Sequence, residues 1–299
     1  MKKKTISLVS LLFVTILLAS CSASQPKYDD KKTVGSQINY TITGIDAGAG
    51  IMSSTQKAIT SYGLDDKNWQ LQTSSTAAMT STLDKALKDE RPIVITGWQP
   101  HWMFTKYKIK FLKDPKNVYG EAENIHTIAR KGLKEDEPSA YEVLDRFNWT
   151  KEQMSNVMLK VNNGEDPEKA ANDWIKKNQS QVDTWTDGVK KVKNREIKLT
   201  YVAWDSEIAS TNVVAQVLKS IGYDVTIQAM EIQPMWSSIA TKAADAQVCA
   251  WLPKTSGVFY KDFKGKYDDL GVNLKGARVG LAVPEYMTNI NSIEDLKNK

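Results

Sequence analysis

EIKLTYVAWDSEIASTNVVAQVLKSIGYDVTIQAMEIQPMWSSIATKAADAQVCAWLP (residues 196–253) is the stretch that decides the fold. It opens with a β-rich run, Glu196 to Trp204. The next run carries Val213, Val214, Val217, Leu218 and Ile221 on one face, which predicts a helix over 208–221. Gly222 supplies its stop. A second strand is expected over 224–230, a second helix over 235–243 and a third strand over 246–250, running into Trp251-Leu252-Pro253. Strand and helix periods that alternate in this way build a parallel sheet flanked by helices.

Working outward, the same plan occurs once upstream. A strand is expected at Tyr40 to Ile45, a helix over 51–62, a strand near Trp69 to Thr73 and a helix over 76–88. The third strand, Pro92 to Thr96, runs into Gly97-Trp98-Gln99-Pro100. Both sets share one element order, and both third strands lead into Trp-x-Pro. An internal duplication of this kind predicts two similar lobes, each a βαβαβ-based sheet. Between the sets, residues 135–190 read as helical, with starts marked by Pro138 and Pro167 and with Trp149, Trp174 and Trp185 as packing residues. The chain closes with a strand-like run over 277–283, then Pro284, and Ile293 to Leu296 opens a last helix.

Composition removes several classes of function. Of 299 residues, 41% are hydrophobic and 25% charged, which excludes a disordered, collagenous or multi-span membrane protein. Two cysteines, Cys21 and Cys249, exclude a disulfide scaffold, and two histidines, His101 and His126, argue against a metal site. The formal charge is +5, but three of the lysines lie in the first four residues. The remainder is close to neutral and gives no reason to expect a nucleic acid partner.

Those lysines open an address. Lys2, Lys3 and Lys4 precede an apolar run from Ile6 to Ala19, too short to span a membrane comfortably and suited to a signal segment. Leu18-Ala19-Ser20-Cys21 looks like a lipoprotein cleavage site, with residues 1–20 removed and Cys21 lipidated. Residues 21–36 then read as a tether, and the lipid would hold the protein at the extracellular face of the cell membrane. A secretory signal followed by an incidental Cys is the competing reading. Cys249, between Val248 and Ala250, reads as a buried structural thiol.

Ligands of open parallel sheets bind beyond the carboxyl ends of the strands. Here that rule selects residues 44–50, 97–102, 204–207 and 251–256, and three of these four places carry a Trp: Trp98, Trp204 and Trp251. Each indole either packs or meets a ligand. A quaternary ammonium, which has no N–H to donate, is held by aromatic faces worth about 0.5–2 kcal/mol each; stacking on a sugar ring is the alternative use. Gly48-Ala49-Gly50 leads into the helix beginning near Ile51, so it is either a tight turn or a helix N-terminus that receives an anion. Cation box and anion site together fit a betaine. Asp205 and Glu207 either add a long-range attraction for a cation or, as the favoured reading, cap the helix that starts near Ile208, and His101 is expected to make a structural hydrogen bond. The sequence contains no G-x-S-x-G elbow and no H-E-x-x-H, so an enzyme is disfavoured.

The strings GIDAGAGIMS (44–53), ITGWQPHWMF (95–104), IHTIARKG (125–132), YVAWDSEIAST (201–211), AWLPKT (250–255) and VPEYM with NSIEDLK (283–297) resemble the substrate-binding lipoproteins of Gram-positive, Opu-type glycine betaine ABC importers, over essentially all of 38–299. The resemblance implies a type II periplasmic-binding-protein fold, two-lobed and circularly permuted, with the terminal strand pairing with the opening segment. Lobe one would comprise 36–122 plus 280–299 and lobe two 123–279, with crossovers near His126 and Val279. It implies a cation box of Trp98, Trp204 and Trp251 and carboxylate-binding amides at Gly50 and Ile51. Where relatives carry a His after the third Trp, this chain has Ser256, which implies a weaker hold on the carboxylate or a shifted preference. The implied role is capture of glycine betaine, with carnitine, proline betaine, choline or a sulfonium analogue as alternatives, and delivery to a permease and its ATPase for osmoprotection. No cofactor or metal is called for.

Overall fold

The computed structural model describes residues 26–298; the leader and Cys21 lie outside the described residues. Nine strands form the sheet framework: β1 (Thr41–Thr43), β2 (Gln70–Gln72), β3 (Val94–Gln99), β4 (Ile109–Phe111), β5 (Glu123–Arg130), β6 (Arg195–Tyr201), β7 (Tyr223–Ala229), β8 (Ala246–Leu252) and β9 (Tyr267–Pro284). Their order is β2-β1-β3-β9-β5-β8-β6-β7, with β4 also pairing with β9.

The duplicated plan is visible in this order. β1 lies parallel between β2 and β3, and β6 lies parallel between β7 and β8. In each set the third strand faces the middle of the molecule, where it is covered on both sides. That position explains why every residue of Ala246–Leu252 is buried, all of them apolar except Gln247. The helices fall where the periodicity places them. Thr76–Lys88 is capped by the Ser75 side chain on the Ala78 amide. Asp205–Ser220 is the most enclosed helix of the second set and packs on the helices Lys151–Asn162 and Pro167–Lys177 as well as on β7 and β8.

Residues 133–186 are helical, and Pro138 and Pro167 stand at helix starts. Trp149, Trp174 and Trp185 are all buried there: Trp149 meets Trp174 edge-on at 5.6 Å, and Trp174 stacks on Trp185 at 6.0 Å. Cys249 is buried and free, and burial pushes its thiol up.

Two strands exceed the sequence-based expectation. β5 occupies the IHTIARKG region, where periodicity indicated no element. The terminal run 277–283 is only the end of β9, an 18-residue strand. From Tyr267 to Ala277 it pairs antiparallel with β5; from Arg278 to Ala282 it pairs antiparallel with β3, and its last residues with β4. Within the opening segment its partner is therefore the third strand of the set. Two half-sheets thus share one continuous strand, giving the two-lobed α/β architecture expected.

Candidate functional site

Each of the three indoles is fixed by a different element. Trp98 lies within β3, directly across from Val279 of β9. Trp251 lies within β8, across from Ile125 of β5. The strands run farther than their periodicity indicates, so both rings project from strands rather than from the turns beyond them. Trp204 is the N-cap of the helix Asp205–Ser220, with extended backbone angles, and its Nε1 donates to Asp46 Oδ2 at 3.2 Å. Trp98 and Trp251 are buried and Trp204 is half-buried.

All three line one small pocket, together with Ile51. Ile45, Ala49 and Val279 complete its apolar wall, and Ser206 and Thr255 also line it. No lining residue is charged. A cation entering this space meets ring faces and no ammonium or guanidinium, and an aromatic wall of this kind attracts it through the ring quadrupole. The cavity adjoins the N-terminus of the helix Gly50–Ser61, whose N-cap, Ala49, contributes no side-chain hydrogen bond. The first amides of a helix have no partner within it and carry the positive end of its dipole. One space therefore presents an aromatic wall and a donor-rich helix end.

Gly50 is required by a close approach. A Cβ built there would stand 2.1 Å from the Thr255 carbonyl oxygen. The helix end is thus seated against the loop that follows β8. Gly50 itself does not line the cavity, and neither does Ser256. Ser256 is buried, its amide donates to the Trp251 carbonyl at 2.8 Å, and it stands at the N-cap of the short helix Gly257–Asp262. The structure brings Thr255 and Ser206 to the cavity instead.

Neither carboxylate after Trp204 caps the helix, whose start has no side-chain cap. Asp205 Oδ2 accepts from His101 Nε2 at 2.9 Å and from Trp102 Nε1 at 3.1 Å, so its expected capping role gives way to a bond with the chain after β3. His101 makes the structural hydrogen bond expected of it. Its Nδ1 accepts from the Met103 amide, which places the ring proton on Nε2, and burial lowers its pKa. Glu207 is fully enclosed and accepts from the Val202 amide, just before the helix; burial raises its carboxyl to about 8.

A further residue, Glu123, escapes sequence reasoning altogether. It is buried at the start of β5, and its carboxylate accepts from the Lys254 amide at 2.5 Å, the Thr255 amide at 2.6 Å and the Thr255 hydroxyl. It holds the Thr255 loop against Gly50. The partners are some 130 residues apart and Glu123 sits in no periodic pattern, so no local signal marks it.

Comparison with known proteins places the chain. The family model described as the substrate binding domain of ABC-type glycine betaine transport system matches residues 24–177 and 195–299. The chain is 71% identical over 297 residues, 99% of each sequence, to the glycine betaine/carnitine transport binding protein GbuC of Listeria monocytogenes serotype 1/2a (strain 10403S). Among solved structures, it is 50% identical to lactococcal OpuAC in a closed-liganded conformation complexed with glycine betaine, with a TM-score of 0.49 over 56% of this chain and 64% of that one. It is 33% identical to ProX of Borrelia burgdorferi, a glycine betaine, L-proline-binding protein, with a TM-score of 0.47 over 55% of this chain and 62% of that one. Matching family segments over most of its length, the chain belongs to the substrate-binding domains of ABC-type glycine betaine transport systems.

Proposed function

We propose that this protein captures glycine betaine and presents it to an ABC permease driven by its ATPase, as part of osmoprotection. The observation that carries the reading is the cavity shared by Trp98, Trp204 and Trp251, which has no charged lining residue and lies beside a helix N-terminus. The trimethylammonium group occupies the indole box, and the carboxylate turns toward the amides of Gly50 and Ile51. Ser256, behind Trp251, supports the loop at the position where relatives carry a His. The parts 36–122 with 280–299 and 123–279 act as the two lobes. Each supplies part of the box, so ligand binds the closed arrangement better than the open one, which is the condition for a population shift. The protein is a carrier rather than an enzyme. Cys21, lipidated after loss of residues 1–20, anchors it at the outer face of the membrane through the tether.

Titration with glycine betaine followed by intrinsic Trp fluorescence tests this. Trp98→Ala, Trp204→Ala and Trp251→Ala are each expected to weaken binding by roughly tenfold or more, since each ring contributes about 0.5–2 kcal/mol and more when desolvated. A variant that binds as the parent does removes that ring from the box. Carnitine is the larger zwitterion to compete against glycine betaine, and choline tests the anion half because it has no carboxylate. Competition is expected to rank choline below both.

A further inference from the structure

We propose that two reciprocal hydrogen-bond clasps, one centred on Asp205 and one on Asp46, hold the halves shut and set how slowly the bound molecule leaves. Both aspartates are positioning residues. Neither lines the cavity, yet each binds a residue in or against its wall.

The first clasp is received by the β6 half. Asp205, the first residue of its helix, accepts from His101 Nε2 and Trp102 Nε1, both on the chain that follows β3. The Met103 amide fixes the His101 tautomer, so the proton on Nε2 faces the carboxylate. His101 in turn stands edge-on to the cavity indole Trp98, with ring centroids 4.5 Å apart. The second clasp runs the other way. Asp46, after β1, accepts from Nε1 of the cavity indole Trp204. Adjacent residues, Trp204 and Asp205, therefore donate to and accept from the opposite half.

All three bonds join the β1–β3 set to the β6–β8 set and none lies within one set. A device that stabilised either half alone would not be arranged so. Bonds to a carboxylate are the stronger kind. Opening would expose them to water, and His101 and Trp102, both buried here, would lose their partner. The ligand readout below rests on the betaine reading.

Release of glycine betaine is measured by stopped-flow Trp fluorescence. Asp205→Ala and Asp46→Ala are each expected to release it about tenfold faster, with association changed by no more than about threefold. Asp205→Asn, which keeps an acceptor oxygen, is expected to stay within about threefold of the parent. Parental release rates in both Ala variants would overturn the proposal, as would Asp205→Asn behaving like Asp205→Ala. A second arm needs no ligand. Dyes at Lys85→Cys and Lys261→Cys, both exposed and one in each half, report the distance between halves in ligand-free protein. Asp205→Ala is expected to lengthen it, and an unchanged distance overturns the clasp. If the parent ignores glycine betaine, the betaine reading fails by itself and this arm still decides the clasp.

Discussion

Replacing Gly50 with Ala would separate closure from folding. Gly50 is the first residue of the helix Gly50–Ser61, where Ala is tolerated and can be favoured by up to about 1 kcal/mol. The new Cβ, however, would sit 2.1 Å from the Thr255 carbonyl oxygen, 2.8 Å from its carbonyl carbon and 2.9 Å from its Cα. These are backbone atoms, with no side chain to swing aside, and Glu123 pins their loop through two amides and a hydroxyl. Carbon and oxygen need more than about 3 Å, so the helix end and the loop must part by roughly 1 Å. That gap moves Trp98 and Ile51 away from Trp204 and Trp251. Losing the contribution of about one to two rings, roughly 1–3 kcal/mol, weakens affinity by about 10–100-fold. Calorimetric titration with glycine betaine reads the affinity, and a thermal melt of ligand-free protein reads the fold. The melt is expected to stay within a few degrees of the parent. Parental affinity in Gly50→Ala would refute the reasoning, because the loop contact would then not limit closure.

Two other outcomes follow from buried carboxyls. Glu207, raised to about 8 by burial, holds its proton more tightly folded than unfolded. Between its ordinary value near 4.5 and about 8 the folded state binds more protons, so this residue's contribution to stability is full at low pH and lost as pH rises. Glu207→Gln is expected to gain on the parent by about 4 kcal/mol between pH 5 and 9, read by urea unfolding across that range; a constant difference would contradict the assignment. Glu123→Ala strips three donors of their acceptor and is expected to cost about 3 kcal/mol, with Glu123→Gln intermediate. An unchanged urea midpoint for Glu123→Ala would show that water replaces the carboxylate without loss.

What the sequence makes legible is what repeats locally. The helix 76–88 is readable from its period and its Ser75 cap, and Trp98 and Trp251 are readable because each stands near a strand end before a Pro. The cavity they share is foreshadowed by the rule that ligands gather where parallel strands end. Other features depend on partners far along the chain. β5 is half-polar at its edge and reads as a strand only beside β8 and β9. The expectation that Asp205 caps its own helix is locally reasonable, but the His101 and Trp102 donors are a hundred residues away and offer a stronger bond. Glu123 is silent for the same reason. The interest of Ser256 comes from the family resemblance alone; in the structure its amide bonds the Trp251 carbonyl, and Thr255 lines the space.

The shared strand β9 has a consequence for how the chain is made. β3 emerges early from the ribosome, yet its neighbour over 278–282 is synthesised roughly 180 residues later, a contact of very high order. Strands β5 to β8 and the first part of β9 are complete before that. The β5–β8 portion can therefore reach its native pairing first, while β3 waits with an open edge until residues 278–282 are made and close it.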